Sequence, residues 1–434
     1  MQRFRTLLLT TSALLPLGLA IALANPQGPQ VVGGSATVQG QGTPTVTVTQ
    51  QSNSAIINWN TFNIGTNEKT NIIMPSSSSV QLDRVTGGQG PSQILGTLWS
   101  NGRVFLVNPD GILFGAGAKV DTAGLLATTH DIANADFMAG RYNFLIPGNP
   151  NASIVNLGTL TAQSGGFAAL VAPGVRNSGT ITATLGTVAL ASGSGFTLDF
   201  YGDRLITLGV GNSIAANVKD VVTGRPLKSL VLNNSKLSAN GGRVELTAAA
   251  ARQVVNSVIN NKGVIEANSI GNKNGMIVLS AATASSKLAG SPTQTVKVSG
   301  TLSAVGTTPG TSGGTIQVTG ENIAVTGATI DASGAAGGGK IMIGGDAGGG
   351  SQNPAIPPNQ LQPYAVPTAS NVTVDATTTI NASATSTGDG GKVIVWSDGV
   401  TSFNGTIAAK GGALGGNGGF VETSGHEQLN CSKR

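Results

Sequence analysis

The residues that could carry out chemistry are few in this chain of 434 residues. Its two histidines, His130 and His426, lie far apart in sequence, and its one cysteine, Cys431, lies in the C-terminal tail. A zinc site needs several such ligands at close spacing. The 19 acidic residues are scattered, whereas a polysaccharide lyase or hydrolase gathers carboxylates and a base on one face. We therefore expect a protein that is not an enzyme and that carries no metal or cofactor.

Three smaller groups of residues invite functional interpretations, but each also has a structural one. The pair His130-Asp131 is more simply explained by a histidine satisfied in the core or at the surface. The run Gly337-Gly338-Gly339-Lys340 lacks the full spacing of a phosphate-binding loop, so we expect it to be a corner of a repeat. Asp199, Asp203 and Arg204 could form a small polar site, although a charged loop is the simpler interpretation.

A turn with well-defined chemistry lies at Asn108-Pro109-Asp110-Gly111. The asparagine side chain can accept backbone N–H groups, the proline fixes φ at the second position, and the glycine relieves crowding at the fourth. Apolar residues precede the turn, and Ile112-Leu113-Phe114 follows it. The pattern predicts a type I turn between two strands. The turn is either purely structural or also a recognition element.

The elements that must position these residues are predicted to be strands. Charged residues make up 10% of the chain and 64 residues are glycine, whereas an ordinary globular protein has about 25% charged residues. The abundant small and β-branched residues suit strands and turns. Residues 45–49 alternate with period two, as a half-buried strand does. Ser100-Asn101-Gly102 predicts a tight hairpin.

A repeat begins near residue 150. Asn156-Leu157-Gly158-Thr159 returns 21 residues later as Asn177-Ser178-Gly179-Thr180, and further copies continue to Gly425. Such repeats are typical of a solenoid, in which stacked coils share one core. Coils of roughly 21–27 residues predict about 15–20 coils in a rod on the order of 70–95 Å long. Residues 248–256 are expected to form a short helix or a coil, and residues 352–367 an extruded loop with five prolines.

Residues 1–24 have the pattern of a secretory signal peptide. Arg3 and Arg5 precede an apolar run, and Ala22-Leu23-Ala24 provides small residues for cleavage after Ala24. A membrane anchor is the alternative, but the run is short and interrupted. Cleavage would leave 22 of the 24 basic residues against 19 acidic ones. Because no lysine or arginine cluster could follow a phosphate backbone, we expect no nucleic-acid partner.

Three segments resemble a known family. The sequence AIINWNTFNIG at residues 55–65, VFLVNPDGI at 104–112 and AGLLATT at 123–129 are similar to ordered motifs of two-partner secretion exoproteins, which include filamentous haemagglutinin and large haem-utilisation or adhesion proteins. The resemblance spans roughly residues 30–250. It divides the chain into a secretion domain at 25–250 and a β-helical repeat region at 251–434, which we expect to be truncated.

The resemblance implies a fold, a route and a set of site residues. The fold is an all-β, right-handed, single-stranded parallel β-helix with an N-terminal cap and extra-helical hairpins. The chain passes through the Sec machinery into the periplasm, is recognised by a dedicated outer-membrane barrel transporter, and folds outside the cell. The residues that match the motifs, and are expected to determine secretion, are Asn58, Trp59, Phe62, Asn63, Asn108, Pro109, Asp110 and Gly111.

Two qualifications belong to this prediction. The family usually has asparagine where this chain has Asp110, so the turn keeps its geometry but gains a charge. Trp59 and Phe62 are more simply explained as core or cap aromatics.

The expected function is that of a secreted or surface-exposed adhesin that contacts a host cell or another bacterium. A haem-acquisition exoprotein and the stalk of a contact-dependent toxin are the alternatives.

Overall fold

The computed structural model describes residues 24–200, 205–208, 218–249, 257–282, 295–350 and 361–431. Several sequence-based predictions lie outside these residues. They are the signal peptide up to residue 23, the charged residues Asp203 and Arg204, most of the 248–256 segment and residues 352–360 of the proline-rich loop. No helix in the described ranges is long and apolar enough to cross a membrane.

The chain winds through three faces of parallel strands. The first face contains the strands Thr45–Gln50, Lys69–Ile73, Thr97–Ser100, the first half of Lys119–Thr128, the first half of Thr159–Ala172, Thr180–Thr182, Lys236–Ser238, Val264–Glu266, Thr301–Ser303, Thr329–Asp331, Thr379–Asn381 and Thr406–Ala408. The second face contains Ser54–Trp59, Val80–Val85, Arg103–Val107, the second halves of the two long strands, Thr187–Ser192, Arg243–Ala249, Met276–Ala282, Thr315–Thr319, Lys340–Ile343, Lys392–Ser397 and Phe420–Gly425.

The third face is an 11-stranded sheet. Its strands are Ser92–Ile94, Ile112–Phe114, Ser153–Asn156, Gly174–Asn177, Val231–Asn233, Ile259–Asn261, Thr295–Val298, Asn322–Val325, Asn371–Val374, Val400–Phe403 and Gln428–Cys431. Each strand pairs in parallel with the equivalent strand of the next coil, for example Ile154 with Val175. The expected parallel β-helix is therefore confirmed.

The number of coils predicted from the repeat length is wrong. Twelve strands on each of the first two faces and eleven on the third define about twelve coils in the described residues, a stack on the order of 50 Å high at the usual strand spacing. The error has a physical cause. Equivalent asparagines on successive coils are 21, 56 and 28 residues apart, because loops and extra strands are inserted between the strands that stack.

The predicted hairpin at Ser100-Asn101-Gly102 is also wrong. The strands on either side, Thr97–Ser100 and Arg103–Val107, do not pair with each other but each pairs in parallel with neighbouring coils. The segment is a corner of the β-helix. A Cβ atom on Gly102 would press against the side chain of Met74, which would have to shift.

The stacked coils share one long core, made by the inward residues of each strand. Aliphatic side chains of the same kind lie above one another, because parallel coils align equivalent positions. One such column on the first face consists of Leu160, Ile181, Leu237, Ile265, Leu302, Ile330 and Ile380, all buried.

Antiparallel strands cover the N-terminal end of this stack. Gln30–Gly33 pairs antiparallel with Ser54–Trp59, and Ala36–Gln39 pairs antiparallel with Thr45–Gln50. An uncovered first coil would present a row of unpaired backbone groups. These strands form the expected N-terminal cap.

A second core lies on the outer side of the second face. The short strands Asn143–Phe144, Phe196–Leu198 and Ile206–Leu208 form an antiparallel sheet, and the helix Asn134–Met138 lies beside it. Together they bury Phe105, Phe137, Phe144, Phe167 and Phe196. The strand Arg103–Val107 therefore alternates between two cores rather than between core and solvent.

Candidate functional site

The two motif segments, far apart in sequence, meet at one corner between the second and third faces. Asn58 aligns with Arg84, and Arg84 aligns with Val107, on three successive coils. On the third face, Ile94 pairs with Ile64 on one side and with Phe114 on the other. We call residues 58–64, 85–94 and 107–114 the N-terminal corner.

Asn63 and Asn108 hold the middle segment of this corner from opposite sides. The Oδ1 atom of Asn63 accepts a hydrogen bond from the backbone N–H of Gln93 at 2.8 Å. The Nδ2 atom of Asn108 donates to the carbonyl of Gly90 at 3.1 Å and to the hydroxyl of Ser92 at 3.0 Å. Each motif therefore contributes one amide side chain that fixes the coil between them.

The turn at 108–111 has the expected geometry. The N–H of Gly111 donates to the carbonyl of Asn108 at 3.1 Å, and the N–H of Asp110 donates to the side-chain Oδ1 of Asn108 at 3.0 Å. Gly111 has a φ of +114°, and a Cβ atom there would lie 2.7 Å from the carbonyl oxygen of Ser153. Glycine is required both by the backbone conformation and by the close approach of the next coil.

The aromatic members of the first motif are core residues. Trp59 and Phe62 are fully buried, and their rings meet edge to face with centroids 5.6 Å apart. The indole N–H of Trp59 donates to Asp83 at 2.8 Å. Of the eight candidate residues, Trp59, Phe62, Asn108 and Gly111 are buried, whereas Asn58, Asn63, Pro109 and Asp110 are partly exposed.

Asp83 is a buried carboxylate inside the β-helix that the motif search did not include. It is fully buried, and Gln81 donates a second hydrogen bond to the same oxygen at 2.8 Å. Its other oxygen has no hydrogen-bond partner among the described residues. Burial raises the pKa of the Asp83 carboxyl to about 7, and the hydrogen bonds from Trp59 and Gln81 oppose that rise. The signal was available, because period two places Gln81 and Asp83 on the inward side of Val80–Val85.

Arg84 is the second important residue that sequence reasoning missed. Its guanidinium donates to Asp131 Oδ1, Asn134 Oδ1 and the carbonyl of Ile132, each at 2.8 Å, and to Asn58 Oδ1 at 3.2 Å. Its side chain is 11% exposed. Arg84 therefore ties the first motif to the segment that leads into the short helix.

Two of the other candidate groups have structural surroundings, while Asp203 and Arg204 of the third lie outside the described residues. His130 is buried and packs edge to face against Phe196, and burial lowers the pKa of its imidazole to about 4. Its neighbour Asp131 pairs instead with Arg84. Gly338 lies at a corner of the β-helix, where a Cβ atom would lie 1.8 Å from the carbonyl oxygen of Ala382. Within the described ranges, no three histidine, cysteine or acidic side chains come together as metal ligands would.

A cavity of about 400 Å³ opens on the outer side of the second face, away from the N-terminal corner. The guanidinium of Arg103 lies 4.4 Å above the ring of Phe200, and the ring of Phe167 lies 5.1 Å from that of Phe200. These aromatic rings belong to or pack against the second core, so they also have a structural role.

The comparisons with known proteins agree with this architecture. The family model of the TPS secretion domain matches residues 22–294. Two heme/hemopexin-binding proteins of Haemophilus influenzae are 32% and 29% identical to the chain over 264 and 279 residues, in each case 59% of this chain. The aligned parts are 27% and 28% of those relatives, so the chain matches about a quarter of their length.

A solved structure extends the agreement to nearly the whole chain. The crystal structure of the HMW1 secretion domain from Haemophilus influenzae has 32% sequence identity and a TM-score of 0.74, and the match covers 94% of this chain and 97% of that one. The fold and the corner thus define an exoprotein domain of the two-partner secretion class. The chain belongs to the TPS secretion domain family, as the motif resemblance indicated.

Members of this family are exported proteins, and each works with a cognate outer-membrane transporter. The family membership therefore supports secretion or surface display in general.

Proposed function

We propose that this chain is the N-terminal part of a filamentous haemagglutinin-like adhesin, and that its transporter recognises the N-terminal corner. The observation that carries the proposal is that the motif segments around Asn58 and Asn108 lie at one corner, on the first and third of three successive coils. The partly exposed Pro109 and Asp110 offer contacts there, next to the exposed Gln89 and Pro91. The buried Asn108 contributes indirectly, because it fixes this exposed edge.

The proposed route runs through the Sec machinery and the periplasm, and the chain folds after it has crossed the outer membrane. A stack of coils suits this route, because each coil can form on the one before it. Cys431 is the one cysteine of the chain, so no internal disulfide can close a loop before export. The proposed targets are a host-cell surface or another bacterium.

A haem-acquisition exoprotein is the second candidate. The observation that favours it is that the two curated relatives are heme/hemopexin-binding proteins. Within this chain, His130 is buried, while His426 is exposed on the last described coils. Titration of the secreted chain with haem and with hemopexin, followed by absorbance and by sedimentation, distinguishes this candidate from an adhesin, which would bind cells but neither of these.

A charge reversal at the turn tests recognition of the corner. We expect Asp110→Lys to lower the secreted fraction about tenfold when the transporter is co-expressed, because a reversed charge at a contact costs more than 1.4 kcal/mol. Asp121→Lys is the matched control, since Asp121 is an exposed acid on the first face of the same domain. If both variants are secreted like the unchanged chain, recognition does not use this turn.

A further inference from the structure

Glu68 is a buried carboxylate beside the first described residues of the chain. It is 8% exposed. One oxygen accepts a hydrogen bond from the backbone N–H of Ala24, and the other accepts one from the backbone N–H of Gly65, both at 2.8 Å. In the described part of the chain, Glu68 forms no ion pair with a lysine, arginine or histidine.

A carboxylate in this position lacks a compensating positive charge. Two hydrogen bonds from neutral amides satisfy its oxygens in part, but removing an ion from water is costly unless an opposite charge is close. No described side chain supplies that charge. The backbone at Ala24 and Asn25 is the adjoining group that gains a positive charge if the chain is cleaved there.

Asn25, the residue after the expected cleavage site, is firmly built into the fold. It is fully buried, and its Nδ2 atom donates to the carbonyl of Thr43 at 2.9 Å. Its Oδ1 atom accepts a hydrogen bond from the hydroxyl of Thr70 at 3.2 Å, and its carbonyl accepts one from the side chain of Gln27 at 2.8 Å. These contacts fix the backbone of Asn25, whose Cα atom lies about 3.8 Å from that of Ala24, the residue whose N–H Glu68 binds.

We propose that Glu68 is the binding site for the α-ammonium group that cleavage after Ala24 creates on Asn25. The proposal rests on the proposed function, because the cleavage belongs to the export route. Water hydrolyses the amide bond between Ala24 and Asn25, so the leader departs with a carboxylate and Asn25 keeps the amine. An α-amine has a pKa of about 7.7–8.0, so it is largely protonated at neutral pH.

This arrangement makes leader removal part of building the N-terminal cap. The precursor offers Glu68 only the neutral N–H of Ala24, whereas the processed chain offers it a cation. The segment 25–28 is then held by an ion pair as well as by the hydrogen bonds of Asn25. The cap of the processed chain is therefore more stable than the cap of a chain that keeps residues before Asn25.

Hydrogen exchange on the full mature chain tests the proposal. The chain beginning at Asn25 is compared with the same chain preceded by Gly-Ser-Ala, each with and without Glu68→Gln. We expect the amides of Gly65 and Gln27 to be about tenfold better protected in the chain that begins at Asn25, because local opening sets their exchange. Glu68→Gln is expected to abolish that difference. Glu427→Gln, an exposed acid on the last described coil, is expected to preserve it.

Equal protection in the two chains contradicts the proposal, and so does a difference that survives Glu68→Gln. The amide of Ala189, in a central coil, serves as the reference. Loss of its protection in Glu68→Gln would show that Glu68 acts in general folding, which also contradicts the proposal. Because the assay uses purified protein, its failure leaves the secretion proposal standing. Conversely, if the secretion experiment fails, the hydrogen-exchange result on the purified chain is not affected.

Discussion

At the scale of single residues, the N-terminal corner and the strand beside it depend on hydrogen-bonded polar side chains, of which Asp83 and Asn108 are buried. Asn63 and Asn108 each satisfy backbone groups of the coil between them. Asp83 and Arg84 lie on the same strand, but Asp83 points into the β-helix and Arg84 points outward to the segment before the short helix. Buried polar groups of this kind stabilise one arrangement because any other leaves them unpaired.

Because the carboxyl of Asp83 is buried, the free energy of unfolding is expected to depend on pH. Its pKa is raised from 3.8 to about 7 in the folded chain, so the stability it contributes is present below pH 4 and is lost as the pH rises through 7. We expect Asp83→Asn to leave stability unchanged at pH 4 and to increase it at pH 8, by up to roughly 4 kcal/mol. Urea unfolding at both pH values measures this, with the exposed Asp121→Asn as the control. A larger gain at pH 4 than at pH 8 would contradict the assignment.

Removal of the Arg84 side chain is expected to lower the stability of the folded chain strongly. We expect Arg84→Ala to destabilise the N-terminal coils by about 2–4 kcal/mol, because four acceptors lose a charged, largely buried donor. Arg141→Ala is the matched control. Its ion pair with Asp136 is surface-exposed, with the arginine side chain 59% exposed, so its loss should cost less than about 1 kcal/mol. Equal midpoints for the two variants in urea unfolding would show that Arg84 has no special role.

At the scale of elements, an asparagine ladder joins four coils of the third face. Asn156 donates to Asn177 at 2.8 Å, Asn177 to Asn233 at 2.8 Å, and Asn233 to Asn261 at 2.7 Å, and all four are fully buried. Each side chain also bonds a corner backbone group, as Asn177 does with the carbonyl of Gly179. The ladder therefore fixes where each coil turns.

Breaking the ladder in its interior should cost more than changing a neighbour. We expect Asn177→Ala to destabilise the central coils by about 1–3 kcal/mol, because Asn156 loses its acceptor and Asn233 loses its donor in a buried place. Asn234→Ala, at an exposed position of the adjacent corner, is the control and should cost less than about 0.5 kcal/mol. Hydrogen exchange of amides in residues 153–177 measures the effect. Similar exchange in both variants would contradict it.

The sequence predicted the stacked strands of the coils better than the loops and corners that connect those strands. The Asn-x-Gly-Thr copies at 156–159 and 177–180 identified equivalent positions, because parallel coils align like residues. The coil count failed because inserted loops leave no periodic signal. The prediction of a hairpin at residues 100–102 was wrong because the sequence does not show whether a strand pairs with the next strand along the chain or with the equivalent strand of the next coil. Phe105 resembled an ordinary strand residue, and its second core required the tertiary structure.

The candidate site was predicted in part. The motif resemblance located the corner and the turn, and the preference for Trp59 and Phe62 as core residues agrees with their burial. The roles of all eight candidate residues in secretion stay predictions. Arg84 was missed because its partners near residue 131 are remote in sequence and come close only when the chain has folded.

At the scale of the whole molecule, one continuous core runs through the coils while the motif segments lie near one end. A one-dimensional stack lets the end that carries the motifs act separately from the later coils. That separation suits the proposed function, in which the transporter recognises the first coils and the later coils are free to contact a target.

The most direct test of the central claim is the secreted fraction of the whole chain with and without its transporter. The full chain and a variant lacking residues 25–115 are each expressed with and without a cognate outer-membrane transporter, and the medium is compared with the periplasm. We predict that the full chain reaches the medium only when the transporter is present, and that the deletion variant stays in the cell in both cases. Equal release of the full chain without the transporter, or of the deletion variant with it, would contradict the claim.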